Sequence, residues 1–214
     1  GVLFLWYINI VSNFIMFPSK LVEAVEYLNS LTIEVSENHE DGRVNSIDDE
    51  DTVIELLSNQ YGDNVEKPPA RCWWDLKLFG YPLNFKSSKF GSAADNFSSK
   101  AAILYALTNI PEEEVTCSSW KQFQNKLKEN SSQQTPRDYY IIVLNKVTGV
   151  VYLQSLKSLN KLTSNGNNLP FQIKWKDNVF PVERTYLQSY DFLIECYKES
   201  VHKKISSHDG FEEL

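Results

Sequence analysis

Residues 138–145 read DYYIIVLN, a largely apolar run that suits the centre of a sheet covered on both faces. A chain with such a strand must supply neighbours for it and layers to bury it. Val147-Thr148-Gly149 turns the run back into Val150–Leu156, which predicts a hairpin. Phe171–Trp175 (FQIKW) alternates like a further strand with one wet face. Helical patterns surround these strands. Leu21, Val25, Leu28 and Leu31 share one face of a helix over 17–31, started at Pro18 and Ser19. Ile47, Val53, Ile54 and Leu57 mark a second helix over 47–60, with Asp48, Asp49, Glu50 and Asp51 crowding its first turn, where acids suit the helix dipole. Asn96 or Ser98 caps a helix reaching about Thr108. Pro111 and three glutamates open a helical stretch through Lys128, and a long helix spans Thr185–Ile205. The expectation is one mixed α/β domain over residues 16–214.

The chain has 214 residues, 42% hydrophobic and 13% aromatic, which is ample for a core. Residues 1–15 are apolar and uncharged. They lack the basic start and small-residue cleavage site of a signal peptide, and the run meets Pro18 and Lys20 short of the about 20 residues of a membrane helix. The only methionine, Met16, follows it. Either Met16 is the natural start and 1–15 is upstream sequence, or the segment is a buried strand or helix. Cys72, Cys117 and Cys196 are widely spaced and odd in number, and His39, His202 and His208 fall in polar or terminal stretches. Nothing there suggests a zinc cluster, a secreted disulfide framework or a Ser-His-Asp or Cys-His site, and the expected compartment is a reducing cytoplasm.

The net charge of −7 argues at first against a nucleic-acid partner. Its distribution matters more. Residues 1–70 hold 3 Lys/Arg and 13 Asp/Glu, whereas residues 71–176 hold 14 and 7. A basic middle on an acidic chain is compatible with a DNA-facing surface, and equally with plain solvated lysines.

The stretch from Pro68 to Ser88, PPARCWWDLKLFGYPLNFKSS, carries the chemistry. Two strands, 72–79 and 82–87, join at a tight turn at Gly80-Tyr81. Asn84 and Lys86 lie on one face because residues i and i+2 point together, and the hairpin brings Asp75 to them. Phosphodiester hydrolysis needs this mixture. Carboxylate and amide oxygens are hard ligands for Mg²⁺, and a lysine steadies charge that builds on phosphorus. Asp75 and Asn84 need a further ligand. Glu50 on the acidic helix is the choice, with Asp49, Asp51 and Glu55 open because one sequence does not fix the helix phase. The structural alternative is a cross-strand surface ion pair between Asp75 and Lys86.

Here the chain resembles the PD-(D/E)XK nuclease superfamily, the fold of many type II restriction endonucleases. Its pattern is an Asp on one strand, then an acid, any residue and a lysine on the next. Trp74-Asp75 followed by Asn84-Phe85-Lys86 matches it over roughly residues 43–110. Trp74 replaces the proline and Asn84 the second acid, and Pro82 to Ser88 (PLNFKSS) is similar to a variant with Asn at that place. The resemblance implies a restriction-endonuclease-like core with a central mixed sheet flanked by helices, a Mg²⁺ cofactor, double-stranded DNA as substrate and a homodimer. It makes Asp75, Asn84, Lys86 and Glu50 the catalytic set, with Asp75, Asn84 and Glu50 on the metal.

Small donors and lysines follow, and Ser88, Lys89, Asn96, Ser98 and Lys100 are candidates for phosphate. Arg43 and Asn45, ahead of the acidic helix, are candidates for phosphate or base edges. Each has an equal reading as a loop, turn or cap residue. Of Trp73 and Trp74, alternation sends one inward, and core packing is favoured over base stacking. A site-specific endonuclease is the leading function. A repair or junction nuclease of the same fold is the alternative, as is a non-catalytic DNA- or protein-binding module.

Overall fold

The apolar run becomes strand β5 (Tyr140–Asn145), and all six of its residues are buried. In the computed structural model of the chain, the described residues are 14–31, 42–97, 99–164 and 171–209, without the side chains of 42–48 and 205–209. They divide into two compact units.

The unit of Phe17–Ser92 and Tyr139–Ser155 is built on a five-stranded sheet. Its strands are β1 (Val65–Glu66), β2 (Leu76–Leu78), β3 (Tyr81–Ser88), β5 and β6 (Val151–Ser155). The order is β1-β2-β3-β5-β6. β3 and β5 run parallel, Leu83 opposite Tyr140 and Lys86 opposite Val143, and the other pairs are antiparallel. The fold is therefore mixed α/β, with a central mixed sheet and helices against it.

Two helices, α1 (Ser19–Ser30) and α2 (Gly42–Tyr61), cover one face. Leu21, Val25 and Leu28 from α1 and Val53, Ile54 and Leu57 from α2 form one core with Leu76, Leu83, Phe85, Ile142 and Leu144. Leu83 is fully buried, and its truncation to Ala would cost about 2–5 kcal/mol. Since strand residues alternate, Asn84 and Lys86 lie on the opposite face of β3 from Leu83 and Phe85. Asn29 closes the β6 edge. Its side chain donates to Val151 O and accepts from Val151 N, both at 2.8 Å.

Three expectations shift here. Helix α2 begins at Gly42, five residues before the expected start, so the acidic run 48–51 lies inside the helix and not in its first turn. Arg43 and Asn45 thus belong to the helix backbone, and their side chains lie outside the described residues. The β2–β3 turn is Phe79-Gly80, one residue earlier than expected. Leu78 faces Tyr81, and the two residues between them have φ of 52° and 81°. A two-residue hairpin loop with both φ positive matches the right-handed twist of its strands. Phe79 is held in this unusual region by packing, its ring 5.2 Å from that of Tyr61 and 5.9 Å from the Lys20 ammonium.

The second unit draws mainly on Ala93–Asp138 and Leu156–Leu214. It carries a small sheet, β4 (Asp95–Phe97), β8 (Phe171–Ile173) and β7 (Thr163–Ser164), and helices α3 (Lys100–Leu107), α4 (Trp120–Asn130) and α5 (Tyr186–Asp209). Ser99 caps α3, accepting from Ala102 N at 3.1 Å, where Asn96 or Ser98 was expected. Asn96 sits in β4, and Ser98 lies outside the described residues. The stretch after Pro111 is broken. A short turn at Glu112–Glu114 precedes α4, whose cap Ser119 accepts from Gln122 N at 3.2 Å. Ser118 and Ser119 favour such side-chain bonds over helix interior. Among the described residues no helix is long and apolar enough to cross a membrane.

Candidate active site

The β2–β3 hairpin holds Asp75 by its backbone and by its side chain. Asp75 N donates to Leu83 O at 2.9 Å, and Phe85 N donates to Asp75 Oδ2 at 2.7 Å. The ladder that pairs Leu76 with Leu83 places Asp75 level with Asn84, one residue beyond β2. The carboxylate is therefore fixed at the hairpin's open end. Trp74 is buried at 5% exposure, with the Lys77 ammonium 4.9 Å from its ring, and serves as core where the family pattern has proline.

Helix α2 carries the four acids weighed as the further ligand, and its phase is now defined. Val53, Ile54 and Leu57 point into the core. Asp49 points inward as well, 2% exposed, and pairs with Lys146 at 3.0 Å. Asp51 and Glu55 are exposed, and Glu50 is half-buried. The proton affinity of Glu50 responds to the hairpin.

Burial pushes the Glu50 carboxyl up to about 7. The negative charges of Asp75 and Asp51 push in the same direction, and Lys86 opposes them. Burial also raises the Asp75 carboxyl, against the Phe85 N–H bond and the Lys86 charge, which hold it down. Glu50 thus senses the charges of Asp75 and Lys86, and Asp75 that of Lys86. No ion pair within 4.0 Å joins Asp75 and Lys86 among the described residues, so a simple cross-strand salt bridge does not account for them.

Asn84 is tied to a residue that the sequence reading passes over. Tyr139 is fully buried just ahead of β5, and its hydroxyl donates to Trp73 O at 3.1 Å. The Asn84 side chain also hydrogen-bonds Tyr139. Burial holds the Tyr139 phenol well above its ordinary range. Asp75 and Glu50 act in the same direction, and the Asn84 bond acts against them. Asn84 Oδ1 is buried and has no hydrogen-bond partner among the described residues. In DYYIIVLN, Tyr139 reads as one more core residue; the available signal was that a buried tyrosine hydroxyl must find a partner.

An open cleft of about 550 Å³ is lined by Glu50, Asp51, Ile54, Glu55, Lys67, Pro68 and Asp75. No three His, Cys, Asp or Glu side chains gather as a metal set among the described residues. The oxygen donors present are two carboxylates and one amide. Carboxylate and amide oxygens are the donors that suit a hard divalent cation, and the Asn84 oxygen lacks a hydrogen-bond partner among the described residues.

The proposed DNA contacts are less concentrated. Ser88 ends β3, its Oγ accepting from Phe90 N at 3.1 Å, and Lys89 beside it is exposed. Asn96 and Lys100 belong to the other unit. Asn96 Oδ1 accepts from Gln172 Nε2 at 3.1 Å, and the Lys100 ammonium sits 4.8 Å from the Trp120 ring. The basic surplus of 71–176 is likewise partly internal. Lys146 is paired with Asp49, and Lys157, 2% exposed, donates to Thr135 O at 2.9 Å. Arg137 bonds Thr108 O and Ile110 O.

No protein-family model matches the chain, and no curated protein matches it. Among solved structures it is similar to a restriction endonuclease in complex with substrate DNA, at 19% sequence identity and a TM-score of 0.26. The match covers 58% of this chain and 53% of that one, about half of that protein's length.

Proposed function

We propose that this chain is a Mg²⁺-dependent endonuclease that hydrolyses double-stranded DNA at specific sites, in the manner of type II restriction enzymes, and works as a homodimer. One observation carries the reading. Glu50 from helix α2 feels the charges of both Asp75 and Lys86 from the hairpin, beside an open cleft. An acid whose proton affinity is raised by burial and by a second acid, with a lysine acting against them, is an arrangement suited to phosphoryl chemistry.

Glu50, Asp75 and the amide oxygen of Asn84 would hold the cation. When bound, it would polarise a phosphoryl oxygen and make a water more acidic. The protein's own groups do the rest. Phe85 N–H keeps the Asp75 carboxylate in one orientation. Lys86, on the same face of β3 as Asn84, offers an ammonium to the charge that grows on the phosphoryl oxygens. Glu50 must give up its proton before it serves as a ligand, so the site is poised near neutral pH. Lys89, exposed directly after β3, is suited to a flanking phosphate.

The test is cleavage of phage DNA by the purified chain with Mg²⁺. Discrete fragments are expected. Lys86→Ala should slow their appearance by about 10²–10³-fold while DNA affinity is largely kept. A smear, or intact DNA, overturns the site-specific reading, and cutting confined to branched or mismatched DNA moves the assignment to repair.

A further inference from the structure

We propose that Tyr139 is a positioning residue that decides which end of the Asn84 amide faces the cation site. The inference rests on the metal-site reading above and deepens it. An aspartate at this position would present either of two equal oxygens. An asparagine has one oxygen and one NH₂ group, and an inverted amide would aim N–H donors at a cation. Replacing the acid by Asn therefore creates a need for orientation that the acid does not have.

The bonding around Tyr139 meets that need. The Trp73 carbonyl can only accept, so the single Tyr139 hydroxyl proton is committed to it at 3.1 Å. What remains on the phenol oxygen is acceptor capacity. A second partner must then be a donor, and the Asn84 side chain is that partner. The amide nitrogen is the end that can donate, and the oxygen is turned away from the phenol. The unpartnered atom of Asn84 is its Oδ1, buried and without a hydrogen bond among the described residues. Trp73 O, Tyr139 Oη and Asn84 Nδ2 thus form a relay of fixed polarity that ends in an unpartnered lone pair on the amide oxygen. Tyr139 is itself rigid. It is 0% exposed, and its ring is 5.6 Å from that of Trp73.

The experiment is Mn²⁺ titration of the full-length chain without DNA, with free Mn²⁺ read by electron paramagnetic resonance. Asp75→Ala serves as the site control, and thermal melting checks each variant's fold. Tyr139→Phe should weaken Mn²⁺ binding roughly ten- to hundredfold, the range seen when a ligand's supporting partner is removed. In the Asn84→Asp background the same change should lose most of its effect, because a carboxylate needs no orienting. Equal loss in both backgrounds, or none in either, overturns the orienting role while leaving the metal site standing. Failure of the wild-type chain to bind Mn²⁺ in a manner sensitive to Asp75→Ala overturns the metal-site reading, and this inference with it. Should Tyr139→Phe not fold, NMR of the wild-type Asn84 side-chain amide decides the matter. Slow solvent exchange of its protons supports the bond to Tyr139, and exchange at the rate of a free amide overturns it.

Discussion

The Lys146 ammonium lies 3.0 Å from the Asp49 carboxylate, and the two side chains are 9% and 1% exposed. Lys146 directly follows β5, and Asp49 directly precedes Glu50, so this pair sets the rotation of α2 against the sheet. Lys146→Met would strand a buried carboxylate at a cost of about 3–5 kcal/mol. Combining it with Asp49→Asn should recover much of that loss in urea denaturation. A double variant as unstable as the sum of the two single ones would show that the charges do not act on each other.

Glu50 gives a pH signature. Its carboxyl titrates at about 7 in the fold against 4.5 ordinarily, so the folded chain binds its proton over a range where the unfolded chain has lost it. Stability from this group is fully present below 4.5 and falls as pH rises through 7. In EDTA, Glu50→Gln should therefore stabilise the chain at pH 8 by about 1 kcal/mol, discounted for its partial exposure, and change little at pH 4. Melting curves at the two pH values decide it, and an equal shift at both would rule out titration as the cause.

Cleavage should separate the roles of the hairpin residues. Lys86→Ala should lower kcat by about 10²–10³-fold, as expected for loss of a group that acts on transition-state charge. Asn84→Asp keeps an oxygen donor, whereas Asn84→Ala removes it, so single-turnover rates should fall more for the alanine. Glu50→Gln should cripple cleavage. Full activity in Glu50→Gln would transfer the helix ligand to another acid.

Gly80 controls the register that brings Asp75 level with Asn84. At φ 81° a side chain is strained even in open space, and Gly80→Ala should cost about 1–2 kcal/mol. Its mark should be local. Hydrogen exchange at Phe85 N, which donates to Asp75, should speed up relative to β5 amides. Uniform acceleration across the sheet would instead mean a global loss of stability.

Much of this was legible in the chain. Alternation and the apolar run at 138–145 placed β5, which begins two residues later at Tyr140, the β5–β6 hairpin and the shared face of Asn84 and Lys86, because strand periodicity is local. Glu50 was chosen from four acids but could not be separated from them. The phase of α2 depends on where Lys146 arrives, across a sheet that no short window reveals. The start of α2 was misplaced because its acids read as first-turn residues when one of them is an internal ion-pair partner. Tyr139 went unmarked because its role depends on Trp73, a neighbour distant in sequence. Within the basic middle, Lys146 and Lys157 are interior residues whose partners no short window reveals.

The parallel seam between β3 and β5 has a consequence for the order of assembly. Hairpin β2–β3 closes through two residues and can form early, with Asp75 and Asn84 already level. Leu83 meets Tyr140 only after the whole of Ala93–Asp138 has been synthesised. Tyr139, at the mouth of that late strand, arrives with it. A nascent chain therefore owns the acid and the amide before it owns the residue that would align them, and a ribosome-bound fragment ending before Tyr139 should be inert.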